Sequence, residues 1–296
     1  MAISLPEMVV QVRSGNFKSL ARALTIVEND LAGSAEFLKS LANRETPIIG
    51  ITGPPGAGKS SLVNGLVNYW SGNGKSVAVL AVDPTSPFNL GSLLGDRIRM
   101  SEQFNKKNVF IRSIATRGSL GGLSSKTIEM TDVLKAAGFD YILIETVGVG
   151  QSEVEIAGLA DISVVVLVPE SGDEIQNIKS GLMEIADIFV VNKSDREGAD
   201  TFANNLKNLV HGRPQLIPVI KTTANRSEGV RDLISAIESH TITKADRKPF
   251  LLAEKAWKLL QYKRMKSVDR QKLFDEINLA YKNPDFNLYQ FIESMN

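Results

Sequence analysis

The chain has 296 residues, 43% hydrophobic and 23% charged, with 34 basic against 33 acidic side chains and a net charge of +1. These proportions suit a soluble globular protein built as one large domain with extensions or as two small ones, and the balanced charge offers no footprint for nucleic acid. With no cysteine, disulfides and thiolate metal sites are excluded and a reducing compartment is implied. The longest strongly apolar run, Ile162 to Val168, is far too short to span a bilayer. The opening M-A-I-S-L-P-E has neither a secretory apolar core nor an arginine-rich transit pattern, so a cytoplasmic protein acting away from membranes is expected.

Residues 1–45 form an N-terminal helical extension, where Leu20, Leu24, Val27 and Leu31 recur at helical spacing. From 46 to 245, short β-rich runs alternate with helical stretches. The runs are Ile48 to Thr52, Val77 to Val82, Val109 to Ile114, Tyr141 to Ile144, Ile162 to Val168, Ile188 to Val191 and Leu216 to Ile220. Helices are predicted between them, among others over Ser124 to Ala137, Ala199 to Val210 and Val230 to His240. Several runs are apolar throughout, as strands buried on both faces are, so the fold class is α/β with a mostly parallel sheet flanked by helices. From 246 to 296 the pattern is helix alone, with stripes at Leu252, Ala256, Leu259 and Leu260 and at Leu273, Ile277 and Tyr281. That tail is either a helical cap or a subunit-pairing arm. His211 and His240 are expected at the surface, and Trp70 and Trp257 in packing.

Between the first run and the next helix lies Gly53 to Ser60, G-P-P-G-A-G-K-S, a full match to the phosphate-loop pattern G-x-x-x-x-G-K-[ST] in the strand–loop–helix context the pattern needs. It places a P-loop NTPase domain at 46–245. Backbone N–H groups from Gly53, Gly56, Ala57, Gly58, Lys59, Ser60 and Ser61 can wrap phosphate oxygens, and the helix that follows points its positive end at the same anion. Lys59 would reach the β- and γ-phosphates and the Ser60 hydroxyl would ligate Mg²⁺.

Asn192-Lys193-Ser194-Asp195 follows the sixth run and matches N-K-x-D. The Asp195 carboxylate can accept from N1–H and the exocyclic amine of guanine, a pair adenine does not offer, so GTP is favoured over ATP. Asn192 would tie this loop to the phosphate loop, and the Lys193 stem would lie over the base. Thr223 and Ala224 sit where a backbone amide could meet guanine O6. Glu145 ends an apolar strand in the Walker-B manner, supporting Mg²⁺, and Gly148 would offer its N–H to the γ-phosphate. Asp83 and Asp96 are further candidates for the metal neighbourhood. Val149 stands where many small GTPases carry a water-orienting glutamine, so slow hydrolysis awaiting a partner or second subunit is expected. Gln151 and Glu153 are nearby. Gln176 and Lys179 read either as a mobile loop that reaches the nucleotide or as a solvated helix start.

Together, E-T-V-G-V-G-Q-S-E (Glu145 to Glu153), D-P-T-S-P (Asp83 to Pro87), L-G-D-R-I-R-M (Leu94 to Met100), T-R-G-S-L-G-G-L-S (Thr116 to Ser124), G-D-E-I-Q-N-I-K (Gly172 to Lys179) and A-R-A-L-T-I-V-E-N (Ala21 to Asn29) resemble the MeaB/ArgK-type P-loop GTPases, relatives of the methylmalonic aciduria type A proteins. The resemblance implies a homodimeric GTPase using GTP, GDP and Mg²⁺. It would act as chaperone to an adenosylcobalamin-dependent methylmalonyl-CoA mutase or a related acyl-CoA mutase. It also implies that Lys59, Glu145, Gln176 and Lys179 serve catalysis, that Ser60, Asp83, Asp96 and Glu145 surround the metal, and that the C-terminal helices pair subunits. Two departures stand out: Asn89-Leu90-Gly91 replaces the family's usual paired glycine, and Arg97 stands where lysine is common. A nickel-insertion GTPase would need cysteine and histidine ligands that this chain lacks near its switches. A kinase passing the γ-phosphate to a transport protein or small molecule is the competing reading.

Overall fold

A computed structural model of the chain describes residues 4–42, 44–83, 103, 105–115, 125–146, 148, 156–172, 182–211, 216–240, 244–283 and 286–295. Seven strands are β1 (Ile48–Thr52), β2 (Val77–Asp83), β3 (Val109–Ala115), β4 (Tyr141–Glu145), β5 (Ile162–Leu167), β6 (Ile188–Val191) and β7 (Val219–Lys221). They form one sheet in the order β3-β2-β4-β1-β5-β6-β7, every adjacent pair parallel. All residues of β1, β5 and β6 are buried, which is why these strands read as unbroken apolar runs rather than alternating ones.

The two faces of the sheet bury different helices. Val164, Val166, Ile188 and Val190 pack with α4 (Lys59–Gly72) and α8 (Val230–Ser239), while Val165, Leu167, Phe189 and Val191 pack with α7 (Ala199–Val210). Each such side chain contributes roughly 1.5–3 kcal/mol by leaving water. Between α4 and α7 in the chain come α5 (Ser125–Ala137) and the single turn α6 (Leu182–Ile185).

A repeated device fixes the strand starts at the end of the sheet remote from the phosphate loop. Asp140, Asp161 and Asp187 each stand one residue before a strand and reach sideways to the strand alongside. Asp140 accepts from the Ser76 amide at 2.8 Å, Asp161 from the Ile48 amide at 2.9 Å and Asp187 from the Ser163 amide at 2.8 Å. Each bond satisfies an amide where the ladder begins and pins register. Burial pushes the Asp140 carboxyl up, but hydrogen bonds from the Ser76 amide and hydroxyl and from Lys75 outweigh it and hold the group below its usual 3.8. Its stabilisation is therefore present above 3.8 and lost as pH falls through the lower folded-state value. We expect Asp140→Asn to cost roughly 0.5 kcal/mol at neutral pH, a figure reduced for solvent screening. Urea midpoints of variant and wild type should converge in acid.

The described part of the N-terminal extension holds three helices, α1 (Leu5–Arg13), α2 (Phe17–Glu28) and α3 (Ser34–Lys39). Left-handed residues interrupt it, with φ of 77° at Gly15, 49° at Asp30 and 86° at Gly33. Asn16 caps α2 by accepting from the Ser19 amide. Leu20, Leu24 and Val27 are fully buried, but Leu31 lies beyond the end of α2 and is exposed, so the predicted stripe loses its last member. Arg112 of the edge strand β3 donates to Glu28 and Thr25, tying α2 to the sheet edge, and Lys126 of α5 bridges Asp30, just past α2, and Glu129.

One further expectation is corrected. The seventh strand starts at Val219 instead of Leu216, because Pro218 has no N–H to donate and Leu216 is exposed. The helix α9 (Lys244–Met265) runs through Pro249, at the cost of one helical N–H bond.

The chain divides into two compact units, Met1–Leu251 and Leu252–Asn296. The second holds most of α9, then α10 (Arg270–Ala280), capped by Asp269, and α11 (Leu288–Glu293), capped by Asn287. Rings of Tyr281, Phe286 and Phe291 lie 5.9 and 6.0 Å apart in sequence. Trp257 is 61% exposed, so it packs far less than expected; Leu252, Leu260 and Tyr281 of the predicted stripes are exposed as well. Trp70, by contrast, is buried. No described helix is long and apolar enough to cross a membrane.

Candidate nucleotide site

The loop after β1 has a backbone that only glycine supports. Gly53, Gly56 and Gly58 have φ of 136°, 76° and 88°. A Cβ on Gly53 would lie 2.0 Å from the Val166 carbonyl oxygen, and one on Gly58 would lie 2.3 Å from Asn192 Nδ2. At Gly56 a Cβ would meet nothing within 4 Å, so that side of the loop is open. The loop is thus pressed against β5 and β6 on one side and accessible on the other, which fits a ligand approaching its backbone.

Lys59 and Ser60 open α4 and are both buried, as are Glu145 and Thr146 at the end of β4. The Lys59 ammonium donates to the carbonyls of Gly53 at 2.8 Å and Pro54 at 3.0 Å, which holds a positive charge inside the loop. Ser60 Oγ donates to Glu145 Oε1 at 2.6 Å. A hydroxyl and a carboxylate in contact, beside a cation and a helix N-terminus, are oxygen donors suited to a hard divalent ion. Among the described residues no group of three or more His, Cys, Asp or Glu could hold a metal by itself. This donor set fits Mg²⁺, which keeps waters and phosphate oxygens as most of its ligands. Gly148 packs close to this cluster: a Cβ there would lie 2.1 Å from Gly53 O and 2.6 Å from Lys59 Nζ.

The base-side loop is joined to the phosphate loop through Asn192, which is 2% exposed. Its Nδ2 donates to the Ala57 carbonyl at 2.8 Å, while its Oδ1 accepts from the Thr222 hydroxyl at 3.0 Å and the Ala224 amide at 3.1 Å. Lys193 follows in the left-handed region, with φ of 56°, and starts a turn closed by the Arg196 amide on its carbonyl. Ser194 ties that turn to the last loop through its amide on Thr222 O and its hydroxyl against Thr223 Oγ1. The Asp195 carboxylate, part-exposed, lies 3.7 Å from an Arg226 nitrogen. The Ala224 amide, one candidate for guanine O6, is already engaged by Asn192.

The structure therefore brings together Gly53, Gly56, Ala57, Gly58, Lys59, Ser60, Glu145, Gly148, Asn192, Thr223 and Ala224, with Lys193 and Asp195 on the adjoining turn. Ser61 continues α4 on its exposed side. The backbone of Asp83 ends β2, on the same carboxyl edge of the sheet. Asp96, Gln176, Lys179, Val149, Gln151, Glu153 and the Asn89–Arg97 departures lie outside the described residues. Sequence reading missed two features. Thr52 and Thr146, both buried, share a hydrogen bond of 2.9 Å. Along α4, Asn64 and Asn68 accept from the buried Gln103 amide at 2.6 and 2.8 Å. The spacing Ser60, Asn64, Asn68 is a polar line down one helix face, and that signal was available. The threonine pair required the register of β1 against β4.

A parallel sheet with this loop after β1 and this turn after β6 defines a P-loop GTPase. The sequence profile described as Methylmalonyl Co-A mutase-associated GTPase MeaB matches residues 20–275, and the chain belongs to that family. Among its curated relatives, a putative GTPase of Pyrococcus horikoshii is 46% identical over 248 residues, covering 80% of this chain and 77% of that protein. GTPase ArgK of Escherichia coli is 34% identical, covering 97% of this chain and 89% of its own length. The mitochondrial methylmalonic aciduria type A homolog of mouse is 38% identical over 77% of this chain and 57% of its own. A crystal structure named as an LAO/AO transport system kinase superposes with a TM-score of 0.70 at 25% identity, covering 98% of this chain and 95% of that one. The protein is accordingly a GTPase that hydrolyses GTP to GDP.

Proposed function

We propose that this GTPase is a chaperone for an adenosylcobalamin-dependent acyl-CoA mutase, most simply methylmalonyl-CoA mutase, gating cofactor delivery and protecting or reactivating the enzyme. The family match over residues 20–275 is the observation that carries this reading. In it, the 53–61 amides and Lys59 hold the phosphates, and Ser60 with Glu145, Asp83 and Asp96 surrounds Mg²⁺. Asn192, Lys193, Asp195, Thr223 and Ala224 seat guanine. Mg²⁺, when bound, neutralises charge developing between the β- and γ-phosphates. Gln176 and Lys179 complete the site when the mutase docks, so hydrolysis by the chain alone is slow. The exposed apolar side chains of the C-terminal unit, Trp257 and Leu260 among them, support pairing with a second copy. The proposed setting is cytoplasmic.

GTP turnover is to be measured alone and with purified methylmalonyl-CoA mutase, ATP serving as control. We expect slow GTP hydrolysis that rises at least tenfold with the mutase, about 1.4 kcal/mol of barrier. No response would exclude that partner and favour a related acyl-CoA mutase. A phosphorylated acceptor formed instead of free phosphate would establish the kinase reading, which the name of the LAO/AO structure favours.

A further inference from the structure

The carboxyl ends of β1 and β4 are in register at Ile51 and Glu145, and the Thr146 amide donates to Ile51 O at 3.0 Å, the last backbone bond between them among the described residues. One step further on, the chains part, β1 into the phosphate loop and β4 toward Gly148. At that fork the Thr146 hydroxyl donates to Thr52 Oγ1 at 2.9 Å, with the two residues 1% and 0% exposed. Thr52 precedes Gly53, whose carbonyl receives Lys59. Thr146 follows Glu145, whose carboxylate receives Ser60. The bridge thus joins the two chain segments that carry every buried charged group described at the site. A hydroxyl pair out of water is short, directional and costly to break, so it fixes separation more tightly than an apolar contact would.

We propose that Thr52 and Thr146 are a positioning pair, setting where the Glu145 carboxylate and Gly148 stand relative to Lys59 and Ser60 and so setting the Mg²⁺ requirement of GTP hydrolysis. Neither hydroxyl has a chemical role in the reaction. This rests on the proposed assignment of Ser60 and Glu145 to the metal. A Thr→Val change keeps the shape and removes the hydroxyl. Each single change strands the other hydroxyl, whereas the double change buries two matched apolar groups and recovers stability.

The test is Mg²⁺-dependent GTP turnover of the full chain for Thr52→Val, Thr146→Val, the double variant and Thr146→Ser. It is accompanied by GDP affinity without Mg²⁺ and by urea denaturation. We expect Thr146→Val to raise the Mg²⁺ concentration for half-maximal turnover roughly fivefold, the size of one buried hydrogen bond, with GDP affinity nearly unchanged. The double variant should regain stability and keep the raised Mg²⁺ requirement, and Thr146→Ser should behave as wild type. A double variant with a normal Mg²⁺ requirement would overturn the proposal and leave the pair as packing. Ser60→Ala serves as the separate control. If its Mg²⁺ requirement is unchanged, the metal assignment has failed; if it rises while the Val variants stay normal, only the positioning role has.

Discussion

Asp195→Asn is expected to lower GTP affinity by about a hundredfold or more and to raise affinity for xanthosine triphosphate in its place. In the proposed site the carboxylate accepts two charge-assisted hydrogen bonds from guanine; asparagine keeps one acceptor at neutral strength and turns the other contact repulsive, and the two effects together correspond to that range. An asparagine amide sets its own NH₂ against the exocyclic amine of guanine, donor facing donor. Xanthine carries a carbonyl at that position, so the same amide finds an acceptor there. Arg226, 3.7 Å from the carboxylate, does not replace it, because a guanidinium only donates. Competition of unlabelled GTP and XTP against a fluorescent nucleotide reads both changes. Unaltered GTP affinity would place base recognition elsewhere in the chain.

Asn192→Ala should be the most damaging single substitution near the base, for stability and for binding together. It strands the Ala57 carbonyl, the Thr222 hydroxyl and the Ala224 amide, all previously satisfied by one buried side chain. Three such losses amount to about 3 kcal/mol or more, partly relieved if water enters. The Gly58 turn, which packs directly on Asn192 Nδ2, loses its neighbour at the same time. Release of a fluorescent GDP should accelerate by about a hundredfold, and the urea midpoint should fall. Accelerated release with an unchanged midpoint would show that Asn192 serves the nucleotide and not the fold.

What the amino-acid sequence disclosed depended on how local each determinant was. β1, β5 and β6 were legible because a strand covered on both faces must be apolar at every position. The phosphate loop was legible because glycine alone tolerates the backbone at Gly53 and Gly58, leaving a pattern within eight residues. Errors arose where a single residue overrides periodicity, as Pro218 does at the start of β7 and Asp30 does after α2. Trp257 misled because a large aromatic in an amphipathic pattern implies burial without naming what covers it. The three aspartates at the strand starts and the Thr52–Thr146 bridge belong to pairs far apart in sequence. Such pairs become visible only once the strand order sets β4 between β2 and β1, and β5 between β1 and β6.

One consequence concerns the far end of α4. There Trp70 stacks on Tyr141 at 4.2 Å, and both donate to Glu238 of α8, at 3.0 and 3.3 Å. The helix that begins at the phosphates and α8, which follows the Thr222–Gly229 loop, are therefore riveted together at their distal ends, while Asn192 joins the loops that lead into them. In the proposed site they act as a caliper of fixed jaw width, gauging the span from guanine to the β-phosphate, a span GTP and GDP share. A caliper of that kind grips both nucleotides alike and cannot report which is present. On that reading, substitutions at Trp70, Tyr141 or Glu238 should loosen both nucleotides equally without altering the preference between them, and any discrimination between GTP and GDP falls to chain segments outside the caliper.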